Sequence, residues 1–282
     1  MEVISDIQAM RSWTRAQKNT GQRVALVPTM GFLHEGHLSL IHAAKQHAEK
    51  VIVSIFVNPT QFGPGEDYES YFRDLDTDSA KCKAEGVDAI FHPAPDSMYL
   101  PDASAYVNEE LLSLGMCGRA RPGDHFKGVL TIVTKLFNIC EPDLAVFGEK
   151  DGQQLRLIKR MVRDLDMPVE IINGPTLREA DGLAMSSRNA YLSDEERKQA
   201  LCLKQSLDLA CDLVKQGESN CQILLKAIHD HIGKFDHAEI DYVEIVDDES
   251  LQPIERIESP AMLALAVKVG KARLIDNCLL TL

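Results

Sequence analysis

A repeating alternation of short apolar runs with longer amphipathic ones constrains the fold more than any other feature of this chain. Residues 24–29 form a short apolar run closed by a glycine turn. Residues 36–48 follow, with Leu38, Ile41, Ala44 and Ala48 on one helical face. Residues 51–57, VIVSIFV, are rich in β-branched side chains and uninterrupted, as a parallel strand covered on both faces requires. A polar helix over 76–85 and a strand over 87–91 come next. Residues 128–138 carry Val129, Ile132, Val133, Leu136 and Phe137 at the i, i+3, i+4, i+7, i+8 spacing of an amphipathic helix. A strand over 144–147, a helix over 151–165 and a strand over 169–172 complete the series. This rhythm predicts an α/β fold built on a doubly wound parallel sheet.

The grammar changes after Pro175. Ser193 and Glu196 form a capping-box pair that opens a helix of about twenty residues. Strand-like runs over 242–246, 262–269 and 273–280 then follow without long helices between them. The expectation is a smaller C-terminal α+β domain with an antiparallel sheet, dividing the chain into 1–176 and 177–282. With 282 residues and 45% apolar content, two ordinary cores are within reach.

Charge and cysteine usage narrow the function classes. Lys and Arg number 30 against 43 Asp and Glu, a net charge of −13. Nucleic acid and anionic membrane are therefore not expected partners, since both need a basic face, whereas a small anion answers to local charge. The seven cysteines are odd in number and lack a C-x-x-C pair, so reduced, mostly buried thiols are expected. The start MEVISDIQAMRSW has neither the basic beginning nor the apolar run of a signal peptide. No run approaches the roughly 20 apolar residues of a bilayer span. The chain reads as a soluble cytoplasmic protein.

Five segments carry groups suited to chemistry. Pro28-Thr-Met-Gly-Phe-Leu-His-Glu-Gly-His37 joins the first long strand to its helix, where an open α/β sheet places its ligand crevice. Gly31 and Gly36 permit a sharp turn, the helix start offers N–H groups to phosphate, and His34 and His37 supply donors to growing charge. Gly31 and Gly36 have the glycine spacing of a P-loop, but His37-Leu38 stands where Lys-Ser/Thr is required. No G-x-G-x-x-G occurs, and His34-x-x-His37 is not the zincin pattern.

The other four segments are less specific one by one. Asn58-Pro-Thr-Gln61-Phe-Gly63 offers amide donors and acceptors, though a plain turn accounts for it equally well. Residues 115–128, GMCGRARPGDHFKG, collect Arg119, Arg121, His125 and Lys127 in a Gly/Pro-rich loop. Gly148-Glu-Lys-Asp-Gly-Gln-Gln154 puts Lys150 beside a helix N-terminus, where a nearby anion offsets the unfavourable dipole. Asp151 and Gln154 also fit a capping box. Asp181 to Asn189 contains Ser186, Ser187 and Arg188, a phosphate clamp or a polar linker.

Taken together, these segments resemble a known family. His34-Glu-Gly-His37 with Met185-Ser-Ser-Arg188 resembles the HxGH and KMSKS pair of the nucleotidyltransferase superfamily. PTMGFLHEGH, NPTQFG, RPGDHFKGV, FGEKDGQQ and DGLAMSSRNAYL, in order and spacing, are similar to the pantothenate synthetase (pantoate–β-alanine ligase) family over essentially the whole chain. The resemblance implies a Rossmann-like nucleotide- and pantoate-binding domain followed by an α+β lid. It implies ATP-dependent condensation of pantoate with β-alanine through a pantoyl adenylate, releasing AMP and pyrophosphate.

It also implies site residues. Met30, Gly31, Phe32, Leu33, His34, Glu35, Gly36 and His37 would hold ATP, with His37 as proton donor. Gly148, Glu149, Lys150, Asp151, Leu177, Met185, Ser186, Ser187 and Arg188 would complete the nucleotide set. His34, His37, Lys150 and Arg188 are the catalytic candidates, and Gln61 and Gln154 the substrate ligands. Mg²⁺ is expected, mainly on phosphate oxygens. Its protein ligands stay open, although Asp76 and Asp78 lie near the family's acidic positions. A homodimer is implied. Asp124 interrupts the family's Arg-Pro-Gly-His-Phe pattern, so Arg121 and His125 stand outside the core site set. The alternative is another HxGH-type nucleotidyltransferase that adenylylates a small phosphorylated substrate.

Overall fold

A computed structural model of the protein describes residues 1–63, 65–66, 68–121 and 124–282. Pro64 of the Asn58 turn region and Pro122-Gly123 of the basic loop lie outside the described residues. Two compact units divide the chain. The first is Met1–Glu109, Arg121–Gly148 and Leu157–Pro175; the second is Glu110–Ala120, Glu149–Arg156 and Thr176–Leu282.

The first unit contains a six-stranded sheet of β1 (Glu2–Ile4), β2 (Val24–Thr29), β3 (Lys50–Ile55), β4 (Ala89–Phe91), β5 (Leu144–Gly148) and β6 (Glu170–Gly174). Their order is β1-β4-β3-β2-β5-β6 and every pairing is parallel. β2 through β5 are apolar because both faces are covered: Val24 to Val27, Ile52 and Val53 are all fully buried. The doubly wound sheet read from the sequence is present.

The chain runs from β2 outward to β3 and β4, then returns to β5 on β2's other side. The strand order therefore reverses between β2 and β5, the switch point at which such sheets bind ligands. The local sequence opens the sheet there. Thr29 O accepts from Phe56 N on the β3 side, so backbone alternation turns Pro28 toward β5. Pro28 has no N–H to offer, and the β2–β5 pairing stops at Leu26.

The second unit holds an antiparallel sheet of β7 (Ala238–Asp247), β8 (Ala261–Val269) and β9 (Ala272–Leu280), in that order. Its core joins Leu263, Leu265 and Val267 of β8 to Leu203, Leu207, Leu224 and Ile228 of two helices. The Ser193–Glu196 capping box forms as expected. The helix it opens is interrupted at Leu201, giving Asp194–Ala200 and Cys202–Lys215.

Several elements escaped the sequence reading, three of them for clear physical reasons. β1 is a three-residue edge strand with only Ile4 buried. Helix Ile7–Asn19 reads as polar because it buries just Met10 and Thr14. Helix Cys221–Ile232, capped by Asn220, buries Cys221, Leu224, Ile228 and Ile232 in a narrow stripe.

All seven cysteines are free thiols, five of them buried. Cys211 and Cys278 lie with sulfurs 3.6 Å apart. Donation from the Cys278 thiol draws Cys211 down to about 7, while the same contact and burial push Cys278 well up. The thiolate is the nucleophile, so iodoacetamide labelling of Cys211 should rise through about pH 7. Cys140, pushed up by full burial, should stay unlabelled in the native protein. A Cys211 midpoint at the unperturbed value of about 8.5 would contradict this.

Candidate active site

In the first unit the loop after β2 is tightly built. Gly31 (φ +84°) and Phe32 (φ +51°) both adopt left-handed backbone. Only the first is glycine, and a Cβ at Gly31 would meet Asp78 Oδ2 at 3.0 Å and Ile55 Cγ2 at 3.1 Å. The strained turn is held by helix Leu75–Ala84. Asp78, 2% exposed, accepts from Phe32 N and Leu33 N, both at 2.8 Å. Lys81 Nζ donates to Leu33 O at 2.5 Å. Thr29 Oγ1 donates to Ser54 O and accepts from Gly31 N. The ring of Phe32 lies 4.5 Å from that of Phe72, tilted by 53°.

Helix Glu35–His47 begins with a capping box made of two histidines. His34 is the N-cap; its Nδ1 accepts from Gly36 N at 3.1 Å, and its side chain also takes the N–H of His37. His37 Nδ1 accepts from His34 N at 3.3 Å. The rings lie 4.1 Å apart. A backbone N–H can only donate, so each Nδ1 is an acceptor and carries no proton. Both neutral rings are therefore Nε2–H tautomers. The cap thus orients two N–H donors at the carboxyl end of β2, where the helix start already favours anions. Glu35 is exposed in the same first turn, and its carboxylate would repel an anion held there.

The Asn58 segment follows β3. Asn58, 1% exposed, donates to Gln61 Oε1 (3.0 Å) and Gly128 O (3.1 Å), and accepts from Thr60 Oγ1 and Tyr99 OH. Burial pushes the Tyr99 phenol up, so it remains a donor. With its carbonyl held, Gln61 turns its amide N–H₂ toward Met30, whose Sδ lies 3.2 Å away. Gln61 is thus brought to the loop that carries His34 and His37.

The basic loop meets the same segment. His125 Nδ1 lies 2.8 Å from Gln61 O, and Arg121 Nη1 lies 2.8 Å from His125 Nε2. Since arginine only donates, Nε2 accepts and the proton sits on Nδ1, bonded to the Gln61 carbonyl. Arg121 also grips Glu66 in a bidentate pair at 2.8–3.0 Å. Asp124, the departure from the family pattern, is the N-cap residue of helix His125–Cys140 and pairs with Lys127 at 3.0 Å.

Helix His125–Cys140 approaches so closely that a Cβ at Gly128 would lie 2.4 Å from Thr60 O and 2.7 Å from Gln61 N. Those are backbone atoms that cannot swing aside. Gly128→Ala should cost about 1–3 kcal/mol; unchanged thermal stability would show that the turn yields freely.

In the second unit the candidates sit on two segments. Glu149–Asp151 is a single 3₁₀ turn, followed by helix Gly152–Asp164. Lys150, 23% exposed, is 3.9 Å from Asp151 Oδ1, the outer limit of an ion pair. Glu149 pairs with Arg156 at 3.0 Å, and Arg156 also pairs with Asp248 at 2.6 Å. The two glutamines divide labour. Gln153 is 6% exposed and fully engaged, accepting from Cys117 N and donating to Leu112 O and Gly115 O. Gln154 has no side-chain hydrogen bond among the described residues and is only partly buried.

The second segment is a hairpin. Met185 N donates to Leu177 O, Arg178 bridges Ala184, and Glu179 N donates to Leu183 O. Gly182 turns it with φ +96°. Leu177, 38% exposed, starts the hairpin, and Met185-Ser-Ser-Arg188 leaves it into a 3₁₀ turn, Ser187–Tyr191, capped by Ser186 Oγ on Arg188 N. Arg178 anchors it through a bidentate pair with Asp276 (2.6 and 3.0 Å).

These arrangements invite comparison with known proteins. A sequence model of the family described as Pantoate-beta-alanine ligase matches residues 2–279. The chain belongs to the pantoate–β-alanine ligase family. The pantothenate synthetase of Thermotoga neapolitana is 53% identical over 280 residues, covering 99% of this chain and 100% of that protein. That of Moorella thermoacetica is 52% identical over 280 residues, 99% of each. Among solved structures, the pantothenate synthetase of Thermus thermophilus matches with a TM-score of 0.93 at 43% identity, covering 99% of each chain. The pantoate–β-alanine ligase of Francisella tularensis, complexed with β-γ ATP and β-alanine, matches with a TM-score of 0.79 at 33% identity, covering 99% and 97%.

The chain is thus an enzyme of pantothenate biosynthesis. Several residues that shape a pantoate–β-alanine ligase here were not singled out by the sequence reading: Lys81, Tyr99 and Asn277 lie far along the chain from the groups they hold, and Asp78 was weighed only beside a metal, not as the acceptor of a backbone turn. Gly128 was visible only as part of a motif. Among the described residues no group of three or more His, Cys, Asp or Glu side chains could hold a metal ion.

Proposed function

We propose that this ligase activates pantoate with ATP. The pantoate carboxylate attacks the α-phosphorus, forming pantoyl adenylate and releasing pyrophosphate; the β-alanine amine then attacks the acyl carbon and displaces AMP. The two-histidine capping box carries this reading, because it holds two Nε2–H donors at a helix N-terminus, where backbone N–H groups already favour phosphate. Phosphoryl-type transfer needs positioning and charge neutralisation more than covalent help. The Francisella relative, complexed with β-γ ATP and β-alanine, supports ATP and β-alanine as substrates.

In this reading residues 1–176 bind nucleotide and pantoate and 177–282 serve as the lid. Met30 to His37 contact ATP, Glu35 through its backbone. His34 and His37 donate to the phosphates, with His37 the proton donor. Gly148, Glu149, Asp151, Leu177 and Met185 complete the nucleotide contacts. Lys150, Ser186, Ser187 and Arg188 neutralise the triphosphate and leaving pyrophosphate. Gln61 and Gln154 hold pantoate through its hydroxyls, and Gln61 also meets β-alanine.

Asp78 is spent on two backbone N–H groups and Asp76 is exposed, so these two carboxylates provide no cage for Mg²⁺. Mg²⁺, when bound, would be held mainly by the phosphate oxygens of ATP and would supply charge neutralisation there, in keeping with its reluctance to dehydrate. The enzyme is a cytoplasmic homodimer by resemblance to its family, and sedimentation as a monomer at micromolar concentration would overturn the dimer.

Product analysis with ATP, pantoate and β-alanine, each omitted in turn, tests the reaction. AMP and pyrophosphate should appear together with pantothenate, and pyrophosphate formation should need pantoate but not β-alanine in the first turnover. ADP and phosphate would refute it.

A further inference from the structure

Two segments of the second unit, the Lys150 turn and the hairpin that ends in Met185-Ser-Ser-Arg188, are both anchored to consecutive residues of β9. Asn277 Nδ2 donates to Glu149 O and to Lys150 O, each at 2.9 Å. One amide nitrogen therefore satisfies the two carbonyls on either side of the Lys150 nitrogen. Asp276, 1% exposed at its side chain, takes the guanidinium of Arg178 at the base of the hairpin, and Arg178 donates on to Gly182 O at 3.2 Å. Asp276 Oδ1 also accepts from Asn277 N at 2.9 Å, tying the two anchors together.

An independent observation shows that the Asn277 site is built. Gly152 follows the Lys150 turn, and a Cβ there would meet Asn277 Cγ, Nδ2 and Oδ1, each at 3.0 Å. The amide is thus clamped between the turn it bonds and the first residue of the helix after it. Gly152 has ordinary backbone torsions, so close approach to Asn277 is the reason for glycine there.

We propose that Asn277 is a positioning residue of the ligase, fixing the Lys150 turn, and that with Asp276 it sets Lys150 and Ser186–Arg188 in one frame. This rests on the role given above to Lys150. The amide does not touch substrate. It removes the freedom of the 3₁₀ turn, so that the Lys150 ammonium is placed before the nucleotide arrives.

The test is a double-mutant cycle in the full chain, read as steady-state pantothenate formation with circular dichroism melts alongside. Asn277→Asp is nearly isosteric but replaces the donor with an oxygen that cannot bond a carbonyl. It should lower kcat roughly 10- to 100-fold, the scale of a small misplacement of a reacting group, with a smaller change in KM for pantoate. In a Lys150→Ala background the same substitution should change kcat by less than about 3-fold, since coupled residues are non-additive. Gly152→Ala, which crowds the Asn277 amide without changing its chemistry, should show the same collapse.

Four results decide the matter. If Lys150→Ala retains wild-type kcat, the reading of Lys150 fails and this inference with it. If Lys150→Ala is impaired but Asn277→Asp is silent, Asn277 does not position the turn. If Asn277→Asp costs the same factor with or without Lys150, its role is general folding, and only this inference falls. If the Asn277→Asp variant does not fold, Gly152→Ala decides by the same cycle.

Discussion

Replacing His37 with alanine should lower the rate of pantothenate formation by about 10²- to 10³-fold, the cost of removing one preorganised donor to developing charge. The substitution also removes half of the histidine capping box. His34 N loses its acceptor at His37 Nδ1, which should destabilise the protein by about 1 kcal/mol. These two effects can be separated. Glutamine is a natural third-position partner in capping boxes, so His37→Gln should restore most of the thermal stability while leaving activity near the alanine level. Kinetics on both variants with melting curves provides the check. Wild-type activity in His37→Gln would mean that the ring matters only as a cap.

Asp78→Ala should be the most damaging change to the fold of the site. The carboxylate is buried and accepts the N–H groups of Phe32 and Leu33, in a loop that already holds two successive left-handed residues. Hydrogen bonds to a charged group contribute about 1.5–3 kcal/mol each, and left-handed backbone at a non-glycine costs about 1–3 kcal/mol when nothing holds it. A loss of roughly 3–6 kcal/mol follows from the two bonds. Asp78→Asn keeps the shape but retains at most one acceptor, so it should fall between wild type and alanine. Denaturant melts measure this directly, and an Asp78→Ala loss under about 1 kcal/mol would show that water replaces the carboxylate at little cost. Activity should fall with stability here, because the same N–H groups shape the turn before His34.

The major elements were legible from apolar spacing alone. β2 was read with the bounds it has, and the helix read over 128–138 from five buried side chains, whose period no strand can match, runs His125–Cys140. Helix Ile7–Asn19 was not read, because a stripe of two buried residues leaves no detectable pattern in a polar segment. The helix expected after Ser193 was read as one element, since nothing in the sequence at Leu201 marks the break. Of the candidate groups, His34 and His37 could be placed at a strand-to-helix turn. Their mutual capping could not be foreseen, because histidine is not among the usual N-cap residues. The basic loop was set aside on account of Asp124. In the structure that residue is the N-cap of a helix whose next residue, His125, bonds the carbonyl of Gln61 64 positions away.

The sequence by itself determined the doubly wound class, the antiparallel C-terminal sheet and the five motif-bearing segments. These follow from periodicity and local turn chemistry, which act over a few residues. Only the tertiary structure decided the tautomers of His34, His37 and His125, the employment of Asp78 on a backbone turn, and the anchoring of Lys150 by Asn277. The tautomers of His34 and His37 depend on the folded geometry of their own cap; the others depend on which donor or acceptor a distant element brings within about 3 Å. The order of residues along the chain does not record that proximity.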